Sequence, residues 1–350
     1  MRRIIAQRLA ATAAVLFVAM AGSLSAEEKE RAATANFAHV GEQGTTSFEL
    51  TAAEKDVPQH FRLKPHTFNF DVTFERKSGD VHVHRLTFPS PVKTEVEVNN
   101  TVHGHYFQPR GKGPFSGVVV LHILGGEFAL SQMIANSLAQ NGVAALFIKM
   151  PYYGERRDRK SRRRMISPVP QETAEGMTQA VLDIRRAAAW IGARREVDAA
   201  QLGVNGISLG GIMSALSASA EPRFRKVAIY LGGGRLAPIL WDMEHRDADR
   251  LRRDWTAQGR TREDFVKILR PVDPVTWGGR LADRRVLMVN ALHDEIIPKQ
   301  ATMALWNAIG REPELVWLDA GHITAARHIF SELERLNRFF AAEERATRGE

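Results

Sequence analysis

Continuous apolar runs separated by helix-like segments constrain the fold of this chain more than any other feature. The runs GVVVLHIL, VAALFIKM, KVAIYLGGG and VLMVNAL begin at residues 117, 143, 226 and 286. A strand that is apolar on both faces is typical of a parallel sheet covered by helices on both sides. Because helical segments alternate with these runs, the sequence predicts an α/β domain with a mostly parallel sheet.

Three segments upstream of these runs alternate apolar and polar residues, as half-buried antiparallel strands do. They are FNFDVTF, VHVHRLTF and TVHGHYF, and we expect them to extend one edge of the sheet. The α/β domain is predicted to span residues 68–345, with a polar, helix-rich insertion at 236–272. Two interpretations of the insertion stay open: a cap over the active site, and a peripheral helical excursion.

The first 26 residues have the pattern of a secretory signal peptide. MRRIIAQR contains three arginines and no acid, residues 9–21 are an apolar run, and small residues precede Ala26, where we expect cleavage. The alternative is an uncleaved anchor, but the apolar run is shorter than the roughly 20 residues of a membrane span. The protein is therefore predicted to be exported, to the periplasm or beyond. Residues 27–67 are polar and weakly periodic, which predicts a partly ordered lead-in.

Composition narrows the function classes further. The chain has no Cys, so its folding cannot depend on disulfides or cysteine-bound metal. The formal net charge of +8 becomes +5 when the three arginines of residues 1–26 are removed. Between Arg156 and Arg164, seven of nine residues are Arg or Lys, as in nuclear signals and nucleic-acid patches. Export argues against both of these roles, and we expect no nucleic-acid partner.

The segment NGISLGG supplies a candidate nucleophile, Ser208, within Gly206-Ile-Ser-Leu-Gly210. It follows a strand-like segment and precedes a helix-like one, the context in which two glycines allow a sharp turn that exposes the serine. A serine nucleophile needs a base and an acid that orients the base. Asp294 follows the run VLMVNAL and His322 follows ELVWLDA, which is the expected chain order. Glu295 is the alternative to Asp294.

An oxyanion formed at this serine requires two backbone N–H donors. The residue after the nucleophile, Leu209, is one candidate. The second is expected in the segment HILGGEF after the first buried strand, where Leu124 is favoured by position and Ile123 and Gly125 are alternatives.

From about Val83 to Phe340 the chain resembles the α/β-hydrolase superfamily. Three segments are similar to its dienelactone hydrolase and acetyl xylan esterase branch. They are LTFPSPVKTEVEVNNTVHGHYFQPRGKGPFSGVVVLH, VDAAQLGVNGISLGG and RPVDPVTWGGRLADRRVLMVNALHDEIIP. The resemblance implies the α/β-hydrolase fold and ester cleavage through an acyl-serine, with no cofactor and no metal. The segment MPYYGERR replaces the usual turn of that branch and looks like an offshoot of it. The substrate does not carry over from the resemblance, because one fold hosts many functions.

The expected function is therefore an exported serine hydrolase of carboxylic esters, with a small-molecule or carbohydrate ester as substrate and acetyl esters of carbohydrate favoured. A dienelactone-type or lipid-ester hydrolase is one alternative. A non-catalytic binding protein that keeps the fold is the other.

The basic run lies after the strand VAALFIKM, at the sheet edge from which the catalytic residues should emerge. Tyr153, Arg162, Arg163 and Arg164 are therefore candidates for a substrate rim. Two interpretations stay open: a docking surface for anionic substrates, and a solvated charged loop.

Two His-x-His pairs, His82 with His84 and His103 with His105, lie on neighbouring predicted strands. With a turn near residues 93–94, His84 would face His103 and His82 would face His105, and four imidazoles on one face would suit zinc. The alternative, which we favour, is an ordinary polar face of the sheet.

Overall fold

A computed structural model describes residues 41–244 and 246–341, in which ten strands form a single sheet. The strands are β1 Gly41–Phe48, β2 His66–Ser78, β3 Val81–Pro89, β4 Thr101–Gln108, β5 Phe115–Leu121, β6 Val143–Ile148, β7 Val197–Ile207, β8 Phe224–Tyr230, β9 Arg285–Ala291 and β10 Glu314–Leu318. Their order across the sheet is β1-β2-β3-β4-β6-β5-β7-β8-β9-β10. The predicted signal peptide at 1–26 lies outside the described residues.

The parallel part of the sheet runs from β6 through β5 and β7 to β10, while β1 to β4 pair antiparallel and join it at β6. Every residue of β6 is buried, as the unbroken apolar run predicts for a strand covered on both faces. The prediction of a mostly parallel sheet with an antiparallel edge is confirmed.

Helices cover both faces of this sheet. They are α1 Phe128–Gln140, α2 Pro170–Gly192, α3 Leu209–Ala220, α4 Leu236–Leu240, α5 Arg246–Thr256, α6 Arg262–Leu269, α7 Pro274–Trp277, α8 Lys299–Ile309 and α9 Ile329–Phe340. Apolar residues of α1 and α9 pack on one face, and those of α2, α3 and α8 pack on the other. None of the helices in the described part of the chain is long and apolar enough to cross a membrane.

The lead-in predicted over residues 27–67 is more ordered than expected from Gly41 onward. Strand β1 pairs with β2 along its whole length, and Phe48 and Phe61 are buried in the core. Glu54 forms a buried ion pair with Arg185 of α2. These contacts are with residues far away in the sequence, so local periodicity could not reveal them.

The insertion at 236–272 comprises α4, α5 and α6, and its aromatic residues are turned inward. The Trp241 and Phe265 rings lie 5.1 Å apart and both are buried. Asp273 joins the two ends of the excursion, because its carboxylate accepts hydrogen bonds from the Arg235 and Leu236 amides at 2.9 and 2.7 Å. Helix α6 packs against α2. These contacts favour a packed peripheral excursion, and the cap stays a prediction.

The expected pairing of the four histidines is wrong. Strand β3 places His84 opposite Tyr106, and His103 lies opposite Thr87. The observed register differs from the expected one by three residues, and an odd shift moves side chains to the other face of a sheet. The two pairs therefore lie on opposite faces, and no group of three or more metal-ligating acids or histidines occurs within residues 41–244 and 246–341.

Candidate active site

Ser208 occupies a sharp turn between β7 and α3, with φ 57° and ψ −116°. Residues other than glycine rarely adopt this backbone conformation. The turn forms because glycines on both sides of Ser208 let neighbouring backbone segments approach closely. A Cβ at Gly206 would lie 2.4 Å from the Gly210 carbonyl, and one at Gly210 would lie 2.7 Å from the Leu121 carbonyl oxygen. Both glycines are thus needed to present the serine at the end of the strand.

The three predicted catalytic side chains form a continuous chain of hydrogen bonds. His322 Nε2 lies 3.0 Å from Ser208 Oγ, and His322 Nδ1 lies 2.8 Å from Asp294 Oδ2. When Nδ1–H donates to the carboxylate, Nε2 carries the free lone pair and can accept the serine proton. The arrangement can therefore generate a serine nucleophile.

Asp294 is the carboxylate at the ring, and its neighbour Glu295 has a different contact. The other oxygen of Asp294 accepts hydrogen bonds from the Ile296 and Ile297 amides at 2.9 and 2.7 Å, which fixes the carboxylate. Glu295 Oε2 accepts from the His322 backbone N–H at 2.9 Å. From the sequence, Glu295 is only the alternative to Asp294, whereas in the structure its contact positions the loop that carries His322.

The loops that carry Asp294 and His322 emerge from the neighbouring strands β9 and β10. Strand-like pairing continues beyond the strand ends, since the Leu292 amide donates to the Leu318 carbonyl and the His293 amide donates to the Ala320 carbonyl, at 2.8 and 2.9 Å. This pairing holds the two loops side by side, and the acid and the base are thereby brought to the serine.

The predicted second oxyanion donor lies in the loop after β5, residues 122–126. The carbonyl oxygens of Leu121 and His122 abut Gly210, so this loop begins directly beside the serine turn. The first hydrogen bond of α3 runs from the Ile212 amide to the Ser208 carbonyl. The Leu209 amide lies in the first turn of this helix and therefore has no intrahelical acceptor. Leu209 and Leu124 stay predictions as oxyanion donors.

His122 fixes the orientation of this loop and was not singled out from the sequence. Its Nε2 accepts from the Met150 amide at 3.0 Å, so Nδ1 bears the proton and donates to the Ile123 carbonyl at 2.8 Å. In a trans peptide the next N–H, that of Leu124, points opposite to that carbonyl. The loop's orientation therefore depends on a neutral His122. In the sequence, the signal for this role was a polar residue at the end of a buried apolar run.

Burial lowers the pKa of His122 to about 4, although its bond to the Ile123 carbonyl acts in the opposite direction. Protons then bind the unfolded chain more readily than the folded one between pH 6.5 and about 4. The contribution of neutral His122 to the free energy of unfolding is therefore fully present above pH 6.5. It is lost as the pH falls towards 4, by up to about 3 kcal/mol.

We therefore expect the stability advantage of the native protein over His122→Phe to shrink as the pH falls through this range. Urea unfolding of both proteins at several pH values measures the difference, in which other titrating groups cancel. His82→Asn, which removes a histidine at an exposed position, is the control. A difference between native protein and His122→Phe that does not vary with pH contradicts the expectation.

The basic run is not uniformly exposed. Arg156 is fully buried, and its guanidinium donates to the Asn99 and Lys149 carbonyls and pairs with Asp183 at 2.8 Å. Arg163 pairs with Glu172 at 3.0 Å and also with Glu175. Both arginines anchor the run to α2, and Arg163 is engaged by these carboxylates, which differs from the rim role expected for it.

Of two further rim candidates, Tyr153 lies on the loop at 122–126, and Arg164 is bound within the basic run itself. The Tyr153 ring packs against His122, with centroids 4.6 Å apart, and a Cβ at Gly126 would lie 3.0 Å from Tyr153 Cδ1. Arg164 Nη1 donates to the Ser161 and Arg163 carbonyls at 3.0 and 2.7 Å. The remaining predicted rim residue, Arg162, is exposed.

Two family models match the chain. The model described as "Alpha/beta hydrolase domain containing 18" matches residues 59–232, and that of the "Prolyl oligopeptidase family" matches residues 175–344. The second range contains Ser208, Asp294 and His322. Among curated proteins, an uncharacterized protein of two Mycobacterium tuberculosis strains is 27% identical over 43% of this chain. The chain covers 35% of the length of these relatives.

Solved structures with a similar fold include two acetyl xylan esterases. The enzyme from Paenibacillus sp. R4 is 20% identical, with a TM-score of 0.64 over 82% of this chain and 91% of its own. Acetyl xylan esterase 1 from Thermoanaerobacterium sp. JW/SL YS485 is 18% identical, with a TM-score of 0.62 over 84% and 95%. A cold-adapted esterase from an Arctic intertidal metagenomic library is 16% identical, with a TM-score of 0.51 over 76% and 97%.

Proposed function

We propose, from the premise that the chain belongs to the α/β-hydrolase superfamily, that it is a serine hydrolase of carboxylic esters. The observation that carries the proposal is the hydrogen-bonded chain from Ser208 through His322 to Asp294. The Ser208 backbone conformation supports it, because such strain is typical of a nucleophile held at a tight turn.

The reaction follows from this geometry in two halves. Ser208 Oγ attacks the ester carbonyl while His322 Nε2 takes its proton, and Asp294 stabilises the resulting imidazolium. The Leu209 and Leu124 amides donate to the oxyanion of the tetrahedral intermediate. His322 then protonates the departing alcohol, which leaves an acyl-serine. Water, deprotonated by the same histidine, attacks the acyl carbon and releases the acid, and Ser208 recovers its proton.

We propose an acetyl ester of a carbohydrate as the substrate class. The likeness of the fold to two acetyl xylan esterases supports this choice. Dienelactone-type and lipid esters are the alternatives within the same chemistry. The signal-peptide pattern of residues 1–26 supports export, which would place the enzyme with extracellular polymers.

A peptidase is the second candidate function, because the prolyl oligopeptidase family model matches the part of the chain that carries all three catalytic candidates. The same triad can cleave an amide, so only the bound substrate distinguishes the two activities. A non-catalytic protein with this fold is the third interpretation, and a filled serine–histidine–aspartate chain argues against it.

Turnover of matched substrates separates these candidates. We expect the purified protein to hydrolyse p-nitrophenyl acetate and to release acetate from acetylated xylo-oligosaccharides, while leaving Gly-Pro-p-nitroanilide intact. A fluorophosphonate probe should label Ser208, as mass spectrometry of the labelled peptide would detect. Cleavage of the anilide at a rate comparable with the esters would assign the protein to the peptidases. Absence of both labelling and turnover would favour the non-catalytic interpretation.

A further inference from the structure

We propose that Glu295 and Gly321 act together to position the catalytic base. The Glu295 carboxylate holds the main chain of His322 while Asp294 holds its ring, and Gly321 leaves the space that the carboxylate occupies. The inference rests on the proposed function and extends it to two residues outside the serine–histidine–aspartate chain.

Two consecutive acids reach the same histidine by different routes. Asp294 Oδ2 lies 2.8 Å from His322 Nδ1, and Glu295 Oε2 accepts a hydrogen bond from the His322 backbone N–H at 2.9 Å. The first contact orients the imidazole ring. The second acts on the main chain and sets where the His322 backbone lies relative to the loop after β9. Both therefore bear on the place of Nε2, which lies 3.0 Å from Ser208 Oγ.

The main-chain pairing between the two loops ends just before the histidine. The last such bond is donated by the His293 amide to the Ala320 carbonyl, at 2.9 Å. Among the residues that the structure describes, only the hydrogen bond to Glu295 then joins the main chain of residues 321–324 to the loop after β9. Its loss removes the main-chain restraint nearest to the imidazole.

Gly321 makes room for this contact. A Cβ at Gly321 would lie 2.7 Å from Glu295 Oε2, the same oxygen that accepts from the His322 amide. Atoms do not approach so closely without a shift, and the end of the flexible glutamate side chain is the group free to move. The next atoms, the His293 carbonyl oxygen and the Thr324 hydroxyl, would lie at ordinary distances of 3.4 and 3.5 Å. A methyl group here would therefore displace the carboxylate and little else.

Another acid crosses the same pair of loops through a different residue. Asp319 Oδ1 lies 2.9 Å from His293 Nε2, and the two side chains are 84% and 65% exposed. An exposed pair of this kind contributes little, because water screens the charges and both side chains lose conformational freedom. Asp319 therefore provides a matched control for an acid that bridges the two loops.

The experiment compares four variants of the full chain: Glu295→Ala, Glu295→Gln, Gly321→Ala and Asp319→Ala. Each is assayed with p-nitrophenyl acetate for kcat and KM, and with a fluorophosphonate for the rate of Ser208 labelling. Glu295→Ala is expected to lower kcat by about tenfold with little change in KM, because it displaces the base without removing a group that binds substrate. Labelling should slow by a similar factor, since both reactions require an activated serine.

Two comparisons distinguish positioning from a general defect. Glu295→Gln keeps a carbonyl oxygen that can accept from the His322 amide, so it should recover most of kcat. Gly321→Ala should lower kcat as Glu295→Ala does, yet add little in the Glu295→Ala background, because the group that it displaces is already gone. Asp319→Ala should keep the native kcat. Urea unfolding checks that each variant is folded.

Any of three results would overturn the proposal. A kcat for Glu295→Ala equal to that of Asp319→Ala would show that the contact is dispensable. Equal losses in Glu295→Ala and Glu295→Gln would show that the charge of the carboxylate matters and its hydrogen bond does not. Fully additive losses for Glu295→Ala and Gly321→Ala would show that the glycine acts independently of the carboxylate.

If the native protein neither hydrolyses an ester nor reacts with the fluorophosphonate, the proposed function fails separately. Hydrogen exchange measured by mass spectrometry then still tests the contact. We expect the peptide that contains His322 to exchange faster in Glu295→Ala than in the native protein, and to keep its native rate in Glu295→Gln and Asp319→Ala. Equal exchange in all four proteins would overturn the contact itself.

Discussion

Ser208→Ala is expected to lower kcat for ester hydrolysis by about four orders of magnitude or more while leaving the fold intact. Removing the proposed nucleophile would eliminate the proposed acyl-enzyme pathway, so that only substrate binding and the proposed oxyanion donors would remain to accelerate attack by water. The side chain of Ser208 is small and its hydroxyl lies 3.0 Å from His322 Nε2, so its loss should leave the core unchanged. Initial rates with p-nitrophenyl acetate and a circular dichroism spectrum measure the two effects.

Ser214→Ala provides the matched control for this substitution. Ser214 is a buried serine of α3, the helix that follows Ser208, and its hydroxyl donates to the Gly210 carbonyl at 2.8 Å. Its replacement should change kcat little. A folded Ser208→Ala protein that keeps most of the native activity would show that another residue is the nucleophile.

Asp183→Asn is expected to destabilise the protein by about 3–5 kcal/mol, the usual effect of leaving one charge of a buried pair uncompensated. Asp183 accepts from Arg156 Nη2 at 2.8 Å and from the Ser90 hydroxyl at 2.6 Å, and the Arg156 and Asp183 side chains are 0% and 1% exposed. The substitution leaves the Arg156 charge in the interior. Urea unfolding measures the loss.

Two further variants make this expectation specific. Replacing both partners, as Arg156→Met with Asp183→Leu, should be less damaging than Asp183→Asn alone, because no buried charge remains. Glu334→Gln breaks an exposed pair with Arg338 on α9, and it should change stability by less than about 0.5 kcal/mol. A loss below about 1 kcal/mol for Asp183→Asn would contradict the view that this pair anchors the basic loop.

Much of the fold was accessible from the sequence because its signals are local. The runs that became β5, β6, β8 and β9 are apolar on both faces, and that pattern depends only on neighbouring residues. The lead-in lacked such a signal. Its strand β1 and the buried Phe48 and Phe61 depend on pairing with β2 and on packing against α2, which lie beyond the reach of local periodicity.

The candidate site divides in the same way. Ser208, Asp294 and His322 were placed by strand ends and chain order, and the structure brings the three side chains together. His122 and Glu295 gained their contacts only through folding, since each binds backbone of another loop. The four histidines were misplaced because register across a connection of about a dozen residues is decided by pairing and not by alternation.

The sequence by itself determined the alternation of strands and helices, the glycine-flanked serine turn and the order of the catalytic candidates. Each of these follows from interactions within a few residues, such as the space that Gly206 and Gly210 leave free. Only the tertiary structure decided what the basic run does. Of the seven cations in the run, Arg156 and Arg163 form ion pairs with Asp183 and Glu172 of α2, which gives them an environment that the sequence does not show. Because a buried charge must be neutralised by a partner brought from elsewhere in the chain, the fold decides which arginines of the run are paired.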